Sequence, residues 1–129
     1  MVTLDHLNRT IDIPNAVTRI VSLVPSQTEL LADLELKNEV VGITNFCIHP
    51  TDWFKNKNKV GGTKNFNINK IRALNPDLII ANKEENSKSK LEILMKDYPV
   101  WISDVRDLNS ALDMIDIIGS GSIGQVYKI

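Results

Sequence analysis

The sequence has a single cysteine, Cys47, so no disulfide can form within the chain, and cysteine usage gives no sign of an oxidising compartment and does not exclude one. It has no excess charge of either sign: 15 basic residues face 16 acidic ones. No bulk field is available to gather nucleic acid or an anionic membrane surface, so any charge-based binding must be local. It also lacks a long hydrophobic run. The opening "MVTLDHLNRTIDIP" has no apolar stretch flanked by basic residues, and no later segment reaches membrane-spanning length. As written, then, the chain is expected to be soluble and unexported. There is no low-complexity segment, and "KNKNK" (55–59) is expected to be a solvated loop.

What is present is 129 residues, 43% of them hydrophobic, enough for one core and one domain. Val2 and Leu4 alternate with polar neighbours, His6-Leu7-Asn8 can turn, and Thr10 to Ile13 alternate again, which predicts an N-terminal β-hairpin. His6 falls in that turn and receives no chemical role. "RIVSLV", "EVVGIT", "DLIIAN" and "VWIS" are short apolar runs of the kind buried on both faces of a parallel sheet. Helical segments separate them. The first is predicted to start with a capping box, Ser26 with Glu29, and to continue through Leu30, Leu31 and Leu34. The next ends in "IRALNP"; a third carries Leu91, Leu94 and Met95; a last, capped by Asp107, carries Leu108, Ala111, Leu112 and Ile115. The fold class expected is therefore α/β: a single Rossmann-like lobe over residues 1–118, with a mostly parallel four-stranded sheet flanked by helices, plus the hairpin. Residues 119–129 form a glycine-rich tail, expected to be irregular. The tail's "GSGSIGQVYK" matches a kinase-like phosphate loop only locally, without the strands, catalytic loop and metal-binding acids that chemistry needs.

In an open α/β sheet, ligands sit beyond the carboxyl ends of the strands, where helix N-termini and loop amides point. Four predicted strands end there in Pro25-Ser26-Gln27, Thr44-Asn45-Phe46-Cys47, Lys83-Glu84-Glu85-Asn86 and Ser103-Asp104-Val105-Arg106. A strand that is apolar along its length and charged where it emerges marks a candidate rim. Elsewhere the signals are weaker. Cys47, His49 and Asp52 lie close enough in sequence to suggest a metal trio or a thiol and base, but no second Cys/His pair completes a zinc site, and no orienting residue completes a catalytic one. The bland expectation for Cys47 is a small apolar filler. Trp101 is expected in the core, and Trp53 and Phe54 in a loop, as anchors onto the sheet or, if exposed, as a stacking face for a flat ligand.

Taken together, "RIVSLVPSQTELLADL", "VVGITNFCIHP", "VGGTKNFNINKIRALNPDLIIANKEEN" and "VWISDVRDLNSALDMIDIIG" resemble the N-terminal lobe of class III periplasmic substrate-binding proteins. These are the cobalamin, haem and ferric-siderophore receptors of ABC importers, also called helical-backbone metal receptors. The resemblance implies a non-enzymatic module with no intrinsic cofactor and no protein-bound metal. It implies a small-molecule metal chelate as ligand, an ABC transporter permease as partner, and a periplasmic location. It places Pro25, Ser26 and Gln27, the loop Asn45 to His49, Thr63 to Asn65, and Lys83 to Asn86 along the ligand cleft, in agreement with the rim. The candidate ligand-binding residues are Ser26, Gln27, Asn45, Phe46, Cys47, Thr63, Lys64, Glu84, Glu85, Asn86 and, from the rim alone, Arg106. Glu84, Glu85 and Arg106 would meet the ligand's polar periphery, and Ser26 with the first helix's amides would accept an anionic group. The family's cobalamin receptors carry a ligand-stacking tryptophan where Thr63 stands, and a transporter-docking glutamate where Asn69 stands. Two rival expectations stand beside this one: a lobe that pairs with another lobe or copy, and an enzyme using Cys47 and His49.

Overall fold

The computed structural model describes residues 2–104. The hairpin forms as expected from strands β1 (Val2–Leu4) and β2 (Thr10–Asp12), antiparallel, with Thr3 opposite Ile11. The main sheet is built of β3 (Ile20–Ser22), β4 (Val40–Ile43), β5 (Asn58–Lys59), β6 (Leu78–Asn82) and β7 (Val100–Ser103), in the order β5-β4-β3-β6-β7. Every pairing in it is parallel. Helices α1 (Pro25–Asp33), α2 (Thr51–Asn56), α3 (Ile68–Leu74) and α4 (Lys88–Met95) lie between the strands. The α/β class is as expected, with five strands in place of four.

Sandwiching explains the apolar runs. Along β6, Ile80 joins Ile20, Leu31 and Trp101 in one core, while Ile79 joins Val21, Leu91 and Ile102 in the other, so successive side chains feed opposite faces. Strand order reverses at β3: the chain moves one way to β4 and β5 and the other way to β6 and β7, and the loops that diverge there open a crevice at the carboxyl ends.

Three expectations are corrected. The stretch 55–59 is not wholly a solvated loop, because Asn58–Lys59 forms the edge strand β5. Lysines flanking a two-residue edge discourage pairing with another chain. Helix α1 does not use the Ser26–Glu29 capping box: Pro25 occupies its first turn, the cap is Val24, and no side-chain cap bond forms. Pro25 needs no amide partner there, which moves the helix start ahead of Ser26. Trp53 and Phe54 lie on helix α2 instead of a loop, with Trp53 buried as an anchor. The predicted last helix and the glycine-rich tail fall outside the described residues.

The hairpin also closes the sheet's other edge. The outward backbone groups of β7 would be open on that side. Instead Arg9 Nη1 donates to Val100 O at 3.2 Å, Ile102 N donates to Asp5 Oδ2 at 3.3 Å, His6 N donates to Ile102 O at 3.0 Å, and Asp104 N donates to His6 Nδ1 at 2.9 Å. Asp5, 3% exposed, is the centre of this cap: it also accepts from Leu7 N, Arg9 N and the Arg9 guanidinium, the last at 2.7 Å.

Candidate functional site

The carboxyl ends of β3, β4, β5 and β6 release four loops onto one rim. β4 is followed by Thr44, whose hydroxyl accepts from Phe46 N at 3.3 Å, and this tight turn lifts Asn45 and Phe46 outward. Asn45 N donates to Gly61 O at 2.8 Å, joining this loop to the one after β5. Gly61 has φ +110, and a Cβ there would stand 3.0 Å from Asn65 O, so only glycine fits the turn that presents Thr63 and Lys64. The Phe46 ring lies over neighbouring Gly62, where an added Cβ would be 3.7 Å from it.

β6 ends in Asn82, whose Oδ1 accepts from Glu84 N at 2.9 Å and Glu85 N at 3.1 Å. This side-chain turn orients the "KEEN" segment. Lys64 Nζ reaches Glu84 O at 2.5 Å, tying the β5 and β6 loops together. No described cation comes within ion-pair distance of the Glu84 or Glu85 carboxylates, whereas Lys83 lies 3.9 Å from Asp104. The rim therefore offers two carboxylates with no ion-pair partner among the described residues, beside a lysine and an exposed aromatic ring. Next to them is the start of α1, a nine-residue helix whose N-terminal dipole and loop amides favour anionic groups.

The sequence-predicted residues divide into two sets. Ser26, Asn45, Phe46, Lys64, Glu84 and Glu85 are exposed, Phe46 to 62%, and Thr63 is half-buried; these are brought together on one surface. Gln27, Cys47 and Asn86 are buried beneath it. Cys47 Sγ sits 3.1 Å from Thr28 Oγ1 and 3.2 Å from Thr44 Oγ1, facing inward. His49 and Asp52 are exposed, so the trio does not converge, and among the described residues no three metal-ligating side chains do. Gln27 Nε2 donates to Ala81 O at 3.3 Å and to Ser103 Oγ. Arg106 lies outside the described residues. Sequence reasoning missed Asn82 and Thr28; an asparagine closing an apolar strand before a polar run was the available signal for Asn82.

A second concavity of about 480 Å³ shares Lys83 and Glu84 in its lining and is otherwise walled in part by Leu7, Leu91, Met95 and Ile102.

Residues 20–121 match the family described as "Periplasmic binding protein". The uncharacterized ABC transporter substrate-binding lipoprotein YvrC of Bacillus subtilis (strain 168) is 35% identical over 119 residues, covering 89% of this chain and 37% of the relative. A vitamin B12-binding protein of Vibrio vulnificus (strain CMCP6) is 30% identical over 101 residues, covering 78% of this chain and 37% of the relative. Among solved structures, the petrobactin-binding protein YclQ from Bacillus subtilis superimposes with a TM-score of 0.84 at 20% identity, over 98% of this chain and 47% of that one. The chain thus spans about 37% of the length of these curated relatives.

Proposed function

This chain belongs to the periplasmic binding protein family, and from that premise we propose that it is the N-terminal lobe of an ABC importer's substrate-binding component, recognising a metal chelate such as a corrinoid, haem or ferric siderophore. The observation that carries the reading is the rim itself: Asn45, Phe46, Lys64, Glu84 and Glu85 stand exposed on loops bonded to one another at the strands' carboxyl ends. Binding there needs no bond-breaking. Phe46 offers an apolar face beside Thr63, the position where the family's cobalamin receptors carry a stacking tryptophan, and the carboxylates and Lys64 suit the polar periphery of a chelate. Relatives named for ABC transport and for vitamin B12 support the same class. A permease partner and a location outside the cytoplasm are parts of this proposal.

The test is thermal unfolding with cyanocobalamin, haemin and a ferric catecholate siderophore in turn. A ligand present at about a hundredfold its Kd stabilises the native state by about 2.7 kcal/mol, a shift of several degrees for a domain of this size. A rise with one chelate is expected; no rise with any of them contradicts the reading.

A second reading rests on Phe46 and Ile48, exposed to 62% and 53% on the same rim. Here the lobe pairs through this surface with a second lobe or copy. Light scattering separates the two: a concentration-dependent dimer that persists in the Phe46→Ser variant removes the rim from the contact.

A further inference from the structure

We infer that Asn86, one of the buried residues under the rim, is a positioning residue: it clamps three loops into binding geometry without touching ligand. The inference rests on the rim reading above. Asn86 is 2% exposed, so its side chain is not available to a bound molecule. Its three side-chain bonds instead go to three separate segments. Nδ2 donates to Leu23 O at 3.1 Å, at the end of β3, and to Thr63 O at 2.8 Å, in the loop after β5. Oδ1 accepts from Asn82 N at 2.8 Å, closing the turn on which Glu84 and Glu85 sit, and Asn86 N returns a bond to Asn82 O at 3.2 Å.

Only a primary amide satisfies this set. Leu23 O and Thr63 O both require a donor, and Asn82 N requires an acceptor. Aspartate would keep the acceptor and set an anion against two carbonyl oxygens; leucine would leave all three groups without partners. A second brace lies alongside: Asn82 Nδ2 donates to Ser103 Oγ at 3.1 Å, and Ser103 Oγ also receives Gln27 Nε2. Asn82 is common to both: Asn86 fixes its backbone and Ser103 its side-chain amide, whose Oδ1 orients Glu84 and Glu85. Affinity at such a rim depends on loops that are already ordered, because ordering them on binding would subtract from it.

The experiment is amide hydrogen exchange on the whole chain, wild type and Asn86→Ala, with chelate binding measured in parallel using cyanocobalamin, haemin and the ferric catecholate. The reporters are Glu84 N and Glu85 N, bonded to Asn82 Oδ1, and Asn45 N, bonded to Gly61 O. The expected result is about tenfold faster exchange at these reporters, over and above any change at the core amides of Ile79 and Ile80, with about tenfold weaker binding of whichever chelate binds the wild type. Exchange that rises equally at rim and core reduces Asn86 to general stability and overturns the proposal, as does unchanged exchange at the rim. If Asn86→Ala does not fold, the wild type decides alone: the Asn86 side-chain amide protons must exchange far more slowly than those of exposed Asn45, and equal rates overturn the clamp. If no chelate binds the wild type, the ligand reading falls, while the exchange data still decide the clamp.

Discussion

Replacing Asp5 by alanine tests whether the hairpin is part of the fold or an ornament on it. The Asp5 side chain is wholly inaccessible and accepts bonds from Leu7 N, Arg9 N, the Arg9 guanidinium and Ile102 N. Truncation strands these donors unequally. Arg9, with its side chain 31% exposed, can turn to water, and so can the turn amides in part, but Ile102 N lies in a buried strand. Leaving one buried donor unmet costs about 1–3 kcal/mol, and losing a charge-assisted partner about as much again, so the total expected is about 3–5 kcal/mol. Against a typical stability of about 5–15 kcal/mol, that is a large fraction. Urea unfolding followed by the fluorescence of buried Trp53 and Trp101 gives the difference from the midpoint, with an unchanged slope if unfolding stays two-state. A loss below about 1 kcal/mol would mean that the hairpin is not an integral part of the fold. The partner variant Arg9→Met should cost less, and the double variant less than the sum, by about 1 kcal/mol or more, since the two side chains share a bond.

Substituting Glu84 and Glu85 together by glutamine is expected to weaken chelate binding while changing stability by less than about 0.5 kcal/mol, because both are exposed and have no ion-pair partner among the described residues; calorimetry and urea unfolding check the two halves. Burial, followed by the Lys37 ammonium, lowers Lys57 below the ordinary lysine value of 10.5, although its Nζ donates to Lys37 O and Val40 O. The charged form is the one the fold disfavours, so the unfolded chain binds more protons over the interval just below 10.5 and stability rises with pH there. Unfolding measured from about pH 8 to about pH 10 should show this rise, and Lys57→Met should lack it; parallel profiles would be the contrary result. Cys47, enclosed by Thr28 and Thr44, should react with iodoacetamide only as fast as the protein opens, and rapid alkylation of the native state would revive the enzymatic reading.

Elements whose identity lies in local pattern were legible in the sequence. The hairpin, the four apolar strands of the main sheet and the helices around Leu31, Ile71 and Leu91 each carry an apolar pattern that short-range physics interprets. β5 carries none: Asn58 and Lys59 are a strand only because β4 offers them an edge to pair with. α2 is six residues long, too short for a period, though Pro50 followed by Asp52 and an apolar Trp53 was a usable start signal. The rim was legible for a different reason, since sheet topology fixes where loops emerge whatever their sequence. The roles of individual rim residues were not. Whether Gln27 meets ligand or lies beneath it is decided by Ser103, 76 positions away, and Asn86 is decided by Leu23, 63 positions away. His6 shows the same limit: it receives no role from its place in a turn, yet its ring nitrogen holds the backbone where β7 ends.

On the proposed function, the rim at the strands' carboxyl ends is the ligand-binding face. Two-dimensional amide NMR of the chain, titrated with whichever chelate raises its melting temperature, tests this most directly, because a ferric chelate broadens, and a cobalt chelate shifts, only resonances close to it. Changes are expected only at Asn45, Phe46, Thr63, Lys64, Glu84 and Glu85 and their neighbours. Changes centred instead on Leu7, Leu91, Met95 and Ile102, around the second concavity, would contradict it.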